Sequence, residues 1–273
     1  MNRNHYKNFG IAGIIRRASA DDALGIYSIL RQAFSPLYLK FTIYQKSESA
    51  SYLREQIEAG NSIGTPTIFV ADRAGTLSGF YIADECDREF FLSYIATGIY
   101  ARGKGIGRKL LLHFEGMGSE RGCAALGLEV FESNNYSVEW YLREGYRPSS
   151  KRYVARFDLA AFQNEGKGGL VLDSFELDRA FQKEEKLGFS CISGFLSDDP
   201  VKIGLIGEDV ANVLSPRGPG AFAVAEAIAQ SPLANRRWIL LTTYEPILKD
   251  DGLDSLEISI HMVKKISRRD QAR

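Results

Sequence analysis

Ile95-Ala96-Thr97-Gly98-Ile99-Tyr100-Ala101-Arg102-Gly103-Lys104-Gly105-Ile106-Gly107-Arg108 is the stretch on which the reading of this chain turns. A strand ends there, glycines at alternate positions make a loop, and a helix opens near Gly107. The first turn of a helix carries backbone N–H groups without internal partners, and the macrodipole adds partial positive charge at the same end. Glycines let the main chain curl and let a ligand come close. Arg102, Lys104 and Arg108 add local cations. Such a loop suits a pyrophosphate, and it equally fits a solvated basic turn ahead of an amphipathic helix. It lacks the G-K-[ST] ending of a Walker loop, and Arg102-x-x-Gly105-x-Gly107 lacks the dinucleotide-binding spacing G-x-G-x-x-G.

Upstream of the loop, alternation and turn residues predict a three-strand meander: Thr67 to Ala71, Leu77 to Ala83 and Phe90 to Thr97. Before it, Ile14 to Ala18 reads as a strand. Ser19 and Asp22 form a capping-box pattern for a helix with Leu24, Tyr27, Ile29, Leu30 and Phe34 on its apolar face. A second helix runs from Ser49 to Ala59 and stops at Gly60. Downstream, Leu110, Phe114 and Met117 share one face of the helix that ends near Glu120. Ala124 to Phe131 is a strand, Asn134 to Glu144 a helix and Tyr153 to Leu159 a strand. These elements make a first unit over 11–162. Asn164-Glu165-Gly166-Lys167-Gly168-Gly169 reads as a linker, and 170–266 as a smaller α+β unit. In it, Phe175 to Leu187 and Ala221 to Gln230 are helical in pattern, and Phe189 to Leu196 and Val201 to Ile206 strand-like. Trp238 to Tyr244 and Leu256 to Val263 look like strands paired with each other.

The composition bounds the function. The chain has 273 residues, 45% hydrophobic and 25% charged, so it can bury a core. Lys plus Arg and Asp plus Glu each total 34, so the net charge is zero. A neutral chain has no global field for nucleic acid or anionic lipid, and an anion site must be local. Cys86, Cys123 and Cys191 form no C-x-x-C pair, and His5, His113 and His261 share no metal-ligand spacing. No metal is expected. No apolar run is long enough to span a bilayer and Met1 to Gly10 is polar, so the expected setting is a reducing cytoplasm.

A second constellation follows the loop: Leu128-Glu129-Val130 on a strand, Asn134 where it can cap a helix, Tyr141 one turn beyond Ser137, then Gly145-Tyr146. The pair of segments resembles the GNAT superfamily of N-acetyltransferases. Arg102-Gly103-Lys104-Gly105-Ile106-Gly107 matches the acyl-CoA pyrophosphate loop R-x-x-G-x-G of that family. Leu128-Glu129-Val130, Asn134, Tyr141 and Gly145-Tyr146 match the strand and helix that come next. The resemblance implies an α/β fold with a mixed, mostly antiparallel sheet flanked by helices, whose two central strands splay apart. The pantetheine arm of acetyl-CoA would pair like an extra strand with backbone groups near Ile95, Ala96 and Thr97. Its pyrophosphate would rest on N–H groups from Arg102 through Gly103, Lys104, Gly105, Ile106 and Gly107 to Arg108, and Asn134 would help hold the arm.

The chemistry implied is direct transfer of an acetyl group to a primary amine, on a small molecule or a peptide. An alkyl ammonium, with a pKa of about 10.4, must lose a proton before it attacks. Glu129 is the candidate base and Tyr141 the candidate acid for the thiolate. The ribosomal-protein alanine N-acetyltransferases of the superfamily carry a glutamate and a tyrosine at matching positions. Glu129 can equally be a structural or solvated carboxylate, and Tyr141 an aromatic anchor. Many members carry a glutamate where Ser93 stands here; a serine cannot act as a base unaided, so that route needs ordered water. Glu89 is a weak substitute, and Tyr94 points to the core. Tyr38, Phe41, Tyr44 and Ser93 are expected at the acceptor pocket, although aromatics there also fit ordinary core packing.

The resemblance stops short of the second unit. Ser215-Pro216-Arg217-Gly218-Pro219-Gly220 ahead of an Ala-rich helix faintly echoes the loop, so a degenerate GNAT-like half is one reading and a plain Gly/Pro turn the other. Pro219 removes a backbone donor and disfavours a second cofactor site. The unit could wall the acceptor cleft, bind the acceptor or form a homodimer. A non-catalytic acyl-CoA sensor is the alternative to an enzyme.

Overall fold

The computed structural model describes residues 7–9, 13–60, 65–86, 88–162, 169–196, 199–213, 221–244, 246–247 and 253–266. The predicted linker at 164–168 and the Ser215 to Gly220 turn lie outside them.

The first half runs β1 (Lys7–Phe9), β2 (Gly13–Arg17), α1 (Ala23–Ala33), α2 (Pro36–Lys40), α3 (Ser49–Ala59), β3 (Thr67–Arg73), β4 (Thr76–Cys86), β5 (Glu89–Thr97), α4 (Ile106–Glu120), β6 (Ala125–Phe131), α5 (Asn135–Arg143) and β7 (Arg147–Asp158). The second runs β8 (Leu170–Leu172), α6 (Ser174–Leu187), β9 (Phe189–Leu196), β10 (Asp199–Ile206), β11 (Val210–Val213), α7 (Ala221–Ala229), β12 (Trp238–Thr243) and β13 (Leu253–Lys265). All thirteen strands join one sheet, in the order β1-β2-β3-β4-β5-β6-β13-β7-β12-β11-β10-β9-β8. It is mixed and mostly antiparallel. Its parallel pairs are β5–β6 and β11–β12, each joined by a helical crossover (α4 or α7), as parallel strands require.

The two halves are locked by exchange. Each half, taken in its own order, should end with a last strand beside its parallel pair. Instead β13 from the second half lies between β6 and β7, and β7 from the first lies between β12 and β13. The expected direct pairing of Trp238–Thr243 with the last strand is therefore corrected, because β7 separates them. The cores follow the exchange. Ala155 and Phe157 of β7 pack into the second-half core with Ile203, Leu205, Ala225 and Ile239, while Ile260 and Met262 of β13 pack into the first-half core with Leu110, Phe114 and Leu128.

Local sequence explains most elements. Ser19 and Asp22 form the reciprocal capping box, which phases α1 so that Ala23, Ile26, Ile29 and Leu30 face the sheet. Leu24, expected on that face, is 67% exposed. On α4, Gly118 sits so close to the sheet that a Cβ would lie 2.5 Å from Leu126. In the second half the buried Arg236 donates to both carboxylate oxygens of Glu184, at 2.8 and 2.6 Å, and to the carbonyls of Gly207 and Val210. This pins the β10–β11 turn to α6.

Two outcomes test this architecture. Ending the chain after residue 250 removes β13 from the middle of the sheet and is expected to abolish cooperative folding of both halves, as read by urea denaturation followed by circular dichroism. Arg236→Ala leaves Glu184 as an uncompensated buried charge and is expected to cost about 3–5 kcal/mol in the same measurement.

Candidate active site

β5 and β6 pair only from Glu89↔Ala125 to Leu92↔Leu128. Beyond that point β5 continues to Thr97 and β6 to Phe131 without pairing to each other. The cause is local. On β4, Ile82 lies opposite Tyr94 and Ala83 opposite Leu92, so Ser93 is an extra residue in β5. Such a bulge bends its strand and adds twist. It also inverts the side-chain alternation. Phe90 and Leu92 belong to the core under α4, whereas Tyr94 and Ala96 pack under α1.

A cavity of about 580 Å³ occupies the gap. Its lining includes Leu92, Ile95, Val130 and Tyr141 from the α4–α5 side, and Phe34, Tyr38 and Tyr94 from the α1–α2 side. It therefore passes through the sheet, joining the two faces. Ser93, Glu129, Asn134, Ser137 and Ser259 supply its polar lining.

Each predicted residue can now be located. Tyr141 is buried and lines the cavity; burial pushes its phenol well above the ordinary value. Glu129 lines the same cavity, but its carboxylate is engaged: Arg152 of β7 lies 2.5 Å from Oε1, and Ser259 of β13 donates to Oε2 at 3.1 Å. Asn134 caps α5 by accepting from the Ser137 N–H at 3.2 Å, which leaves its amide N–H groups for a ligand. Ser93 and Ile95 line the cavity, and the next residues, Ala96 and Thr97, carry β5 to the loop.

Tyr94, expected in the core, packs in the core under α1 and also borders the cavity, because the bulge breaks the alternation. Tyr38 lines it and is hydrogen-bonded to Tyr94. Tyr44 is core, 3% exposed. Phe41 is not at the cavity lining. It packs edge-on to Trp238, with Arg156 over its ring, where the two halves meet. Glu89 lies over Gly127 and pairs with His261 at 3.1 Å. Asp84, which drew no notice in the sequence, accepts a hydrogen bond from Ser93. Only the pairing register reveals it, since the bulge sets which residues of β4 and β5 meet.

The loop has the shape its glycines suggested. Gly103 and Gly105 hold positive φ, +72° and +74°, and Gly105 is the N-cap of α4. Gly107 sits against Thr97 of β5 and Trp140 of α5, each 3.8–3.9 Å from where a Cβ would be, so the loop closes onto both elements that flank the cavity. Lys104 is exposed, Arg102 reaches the Gln32 carbonyl, and Arg108 pairs with Glu144 at 2.9 Å. Among the described residues no group of His, Cys, Asp and Glu is placed to hold a metal, and no helix is long and apolar enough to cross a membrane.

The acetyltransferase (GNAT) family model matches residues 25–146, the segment that holds the splay, the glycine loop and α5. This segment is a GNAT acetyltransferase domain. The whole chain has the fold of a tandem GNAT protein from the clavulanic acid biosynthesis pathway, with a TM-score of 0.63 at 10% identity over 93% of this chain and 98% of that one. The second unit is thus a GNAT-like half. Two single-domain structures also align. The PaiA N-acetyltransferase of Thermoplasma acidophilum, solved with coenzyme A, has 20% identity over 51% of this chain and 92% of its own, with a TM-score of 0.46. The ribosomal-protein-S18-alanine N-acetyltransferase of Escherichia coli has 23% identity over 51% and 81%, with a TM-score of 0.42. No curated protein matches the chain in sequence.

Among the described residues, the second half shows one parallel pair of its own. β11 pairs with β12 along its whole length, Val210↔Trp238 to Val213↔Leu241. No described helix stands between β12 and β13 where α5 stands between β6 and β7.

The loop assignment is open to a direct check. Gly105→Glu forces a side chain onto a left-handed residue and sets a negative charge at the start of α4. Acetyl-CoA affinity by calorimetry is expected to fall at least about tenfold with an unchanged far-UV spectrum.

Proposed function

We propose that the protein is an acetyl-CoA-dependent N-acetyltransferase that moves the acetyl group to a primary amine by direct attack in a ternary complex. The observation that carries this reading is the single cavity through the splay, lined by Tyr141 from one face of the sheet and by Glu129 and Ser93 from the other. Acetyl-CoA, entering from the α4–α5 side, and an amine, entering from the α1–α2 side, would meet where β5 and β6 part. The residues fit such a cosubstrate. β5 beyond Leu92 offers backbone groups unpaired on the β6 side to the pantetheine arm, Asn134 offers amide donors, and the amides from Arg102 to Arg108 suit a pyrophosphate.

In this reading Glu129 takes the proton that the ammonium must lose before its lone pair attacks the thioester carbonyl. A backbone N–H at the splay stabilises the oxygen that gains charge as the C–N bond forms. When the C–S bond breaks, Tyr141 protonates the departing sulfur. The protons balance: one leaves the amine and one reaches the thiol, and solvent returns the Glu129 proton to Tyr141. Burial suits Tyr141 to this task, since its raised pKa keeps the phenol protonated throughout the neutral range. Because the shift is upward, no alkaline loss of kcat from Tyr141 is expected below pH 10.

Thiol release with a panel of polyamines, amino acids, aminoglycosides, arylamines and N-terminal peptides tests the activity and names the acceptor. With any accepted amine, Tyr141→Phe is expected to lower kcat about tenfold or more with acetyl-CoA affinity unchanged. A wild-type protein that binds acetyl-CoA yet releases thiol with no amine would be the non-catalytic acyl-CoA sensor instead.

A further inference from the structure

Asp84 stands behind Ser93 rather than in the cavity lining, and among the described residues no cation pairs with it. Glu129 has Arg152, and Glu89 is hydrogen-bonded to His261. Asp84 has Ser93, whose hydroxyl donates to its Oδ2. Around it stand Tyr44, Tyr52 and Tyr94, phenols held protonated by burial first and by the Asp84 charge in addition. None of them can neutralise it.

The bond to Asp84 fixes the polarity of Ser93. A hydroxyl has one donor and two acceptor lone pairs. Ser93 commits its proton to Asp84 on β4, so toward the cavity it can only accept. Because Ser93 is the extra residue of the bulge, this acceptor sits where β5 leaves β6. The cavity wall beside it is aromatic: Phe34 stacks on Tyr38 at 5.2 Å, Tyr38 meets Phe131 edge-on at 5.9 Å, and Phe34 meets Tyr94 edge-on at 5.9 Å. A ligand suited to this corner has N–H donors, one positive charge and an apolar body. An alcohol can donate to this acceptor but brings no positive charge, and a carboxylate brings a second negative one.

The geometry points to Asp84 as a positioning residue for the acceptor: acting through Ser93, it makes the site select a primary alkylammonium with an apolar body and no second charge. This deepens the acetyltransferase reading and rests on it for which ligand is the acceptor. Glu129 keeps the role of base, and Asp84 and Ser93 orient the nitrogen it deprotonates.

The test compares binding of 2-phenylethylamine and its alcohol isostere, 2-phenylethanol, to the full chain by calorimetry in the presence of coenzyme A. The wild type is expected to prefer the amine by about tenfold or more, as suits one charge-assisted hydrogen bond. Asp84→Asn and Ser93→Ala are each expected to bring the two ligands to near-equal affinity, with coenzyme A affinity unchanged. If the amine is turned over, Asp84→Asn is expected to raise its KM about tenfold and leave the acetyl-CoA KM alone. A general loosening of the fold would move both. Equal binding of the two ligands to the wild type, no binding of the amine, or an amine preference that survives in Ser93→Ala would overturn the inference. Ser93→Ala keeps it testable even if Asp84→Asn does not fold. Failure of acetyl-CoA itself to bind sinks the acetyltransferase reading instead, and the amine–alcohol comparison is then read without coenzyme A.

Discussion

The parting of β5 from β6 after Leu92 and Leu128 is the constraint on which the rest of this molecule depends. A parallel pair that separates leaves main-chain donors and acceptors without sheet partners, and these are costly to bury unless something else satisfies them. Water or an extended ligand can do so. A ligand arm lying in the gap completes the sheet as a strand would, which turns an unfavourable break in the ladder into a binding site. The bulge at Ser93 makes the break permanent. It gives β5 one residue more than β4 can match, so the strand must bend away from the position that would pair with β6.

A gap in the middle of a sheet needs firm flanks, and the strand exchange provides them. β13 pairs with β6 from Ala125 to Phe131, along the whole strand, and with β7 on its other side. β6 is thereby fixed on the side away from β5, and it does not close across the gap. The same strand carries Ser259 to Glu129, and β7 carries Arg152. The second half thereby contributes Ser259 to the cavity lining. Its parallel pair is described from Val210 to Val213, and the helix that flanks the first gap has no described counterpart.

Much of this was legible in the sequence. The helix at Ser49–Ala59 and the strand at Phe189–Leu196 have the boundaries that periodicity and glycine stops gave them. The loop could be read because left-handed turns at Gly103 and Gly105 demand glycine, and that demand is written in residue type. Strand exchange could not be read. Local pattern reports which face of a strand is buried but not which neighbour pairs with it, so Trp238–Thr243 and Leu253–Lys265 seemed adjacent when β7 lies between them. Phe41 was misjudged for a related reason. An aromatic after α2 suits either a cavity wall or a seam, and only the docking of Trp238 from the other half decides.

The bulge is also why Asp84 escaped notice. In a regular strand Ser93 and Tyr94 would face opposite sides, and a reader who follows the alternation searches for a base along one face of β5. One extra residue shifts the pairing by one position and brings a carboxylate of β4 under Ser93. The electrostatic consequence depends on the neighbours as much as on the carboxylate. Glu129, joined to Arg152, adds little net field to the cavity. Asp84, half-buried among neutral phenols, leaves one negative charge to be balanced. The charge of a ligand that completes this site follows from that difference: an ammonium restores neutrality, whereas a zwitterion would bring a carboxylate for which the Ser93 corner has no donor.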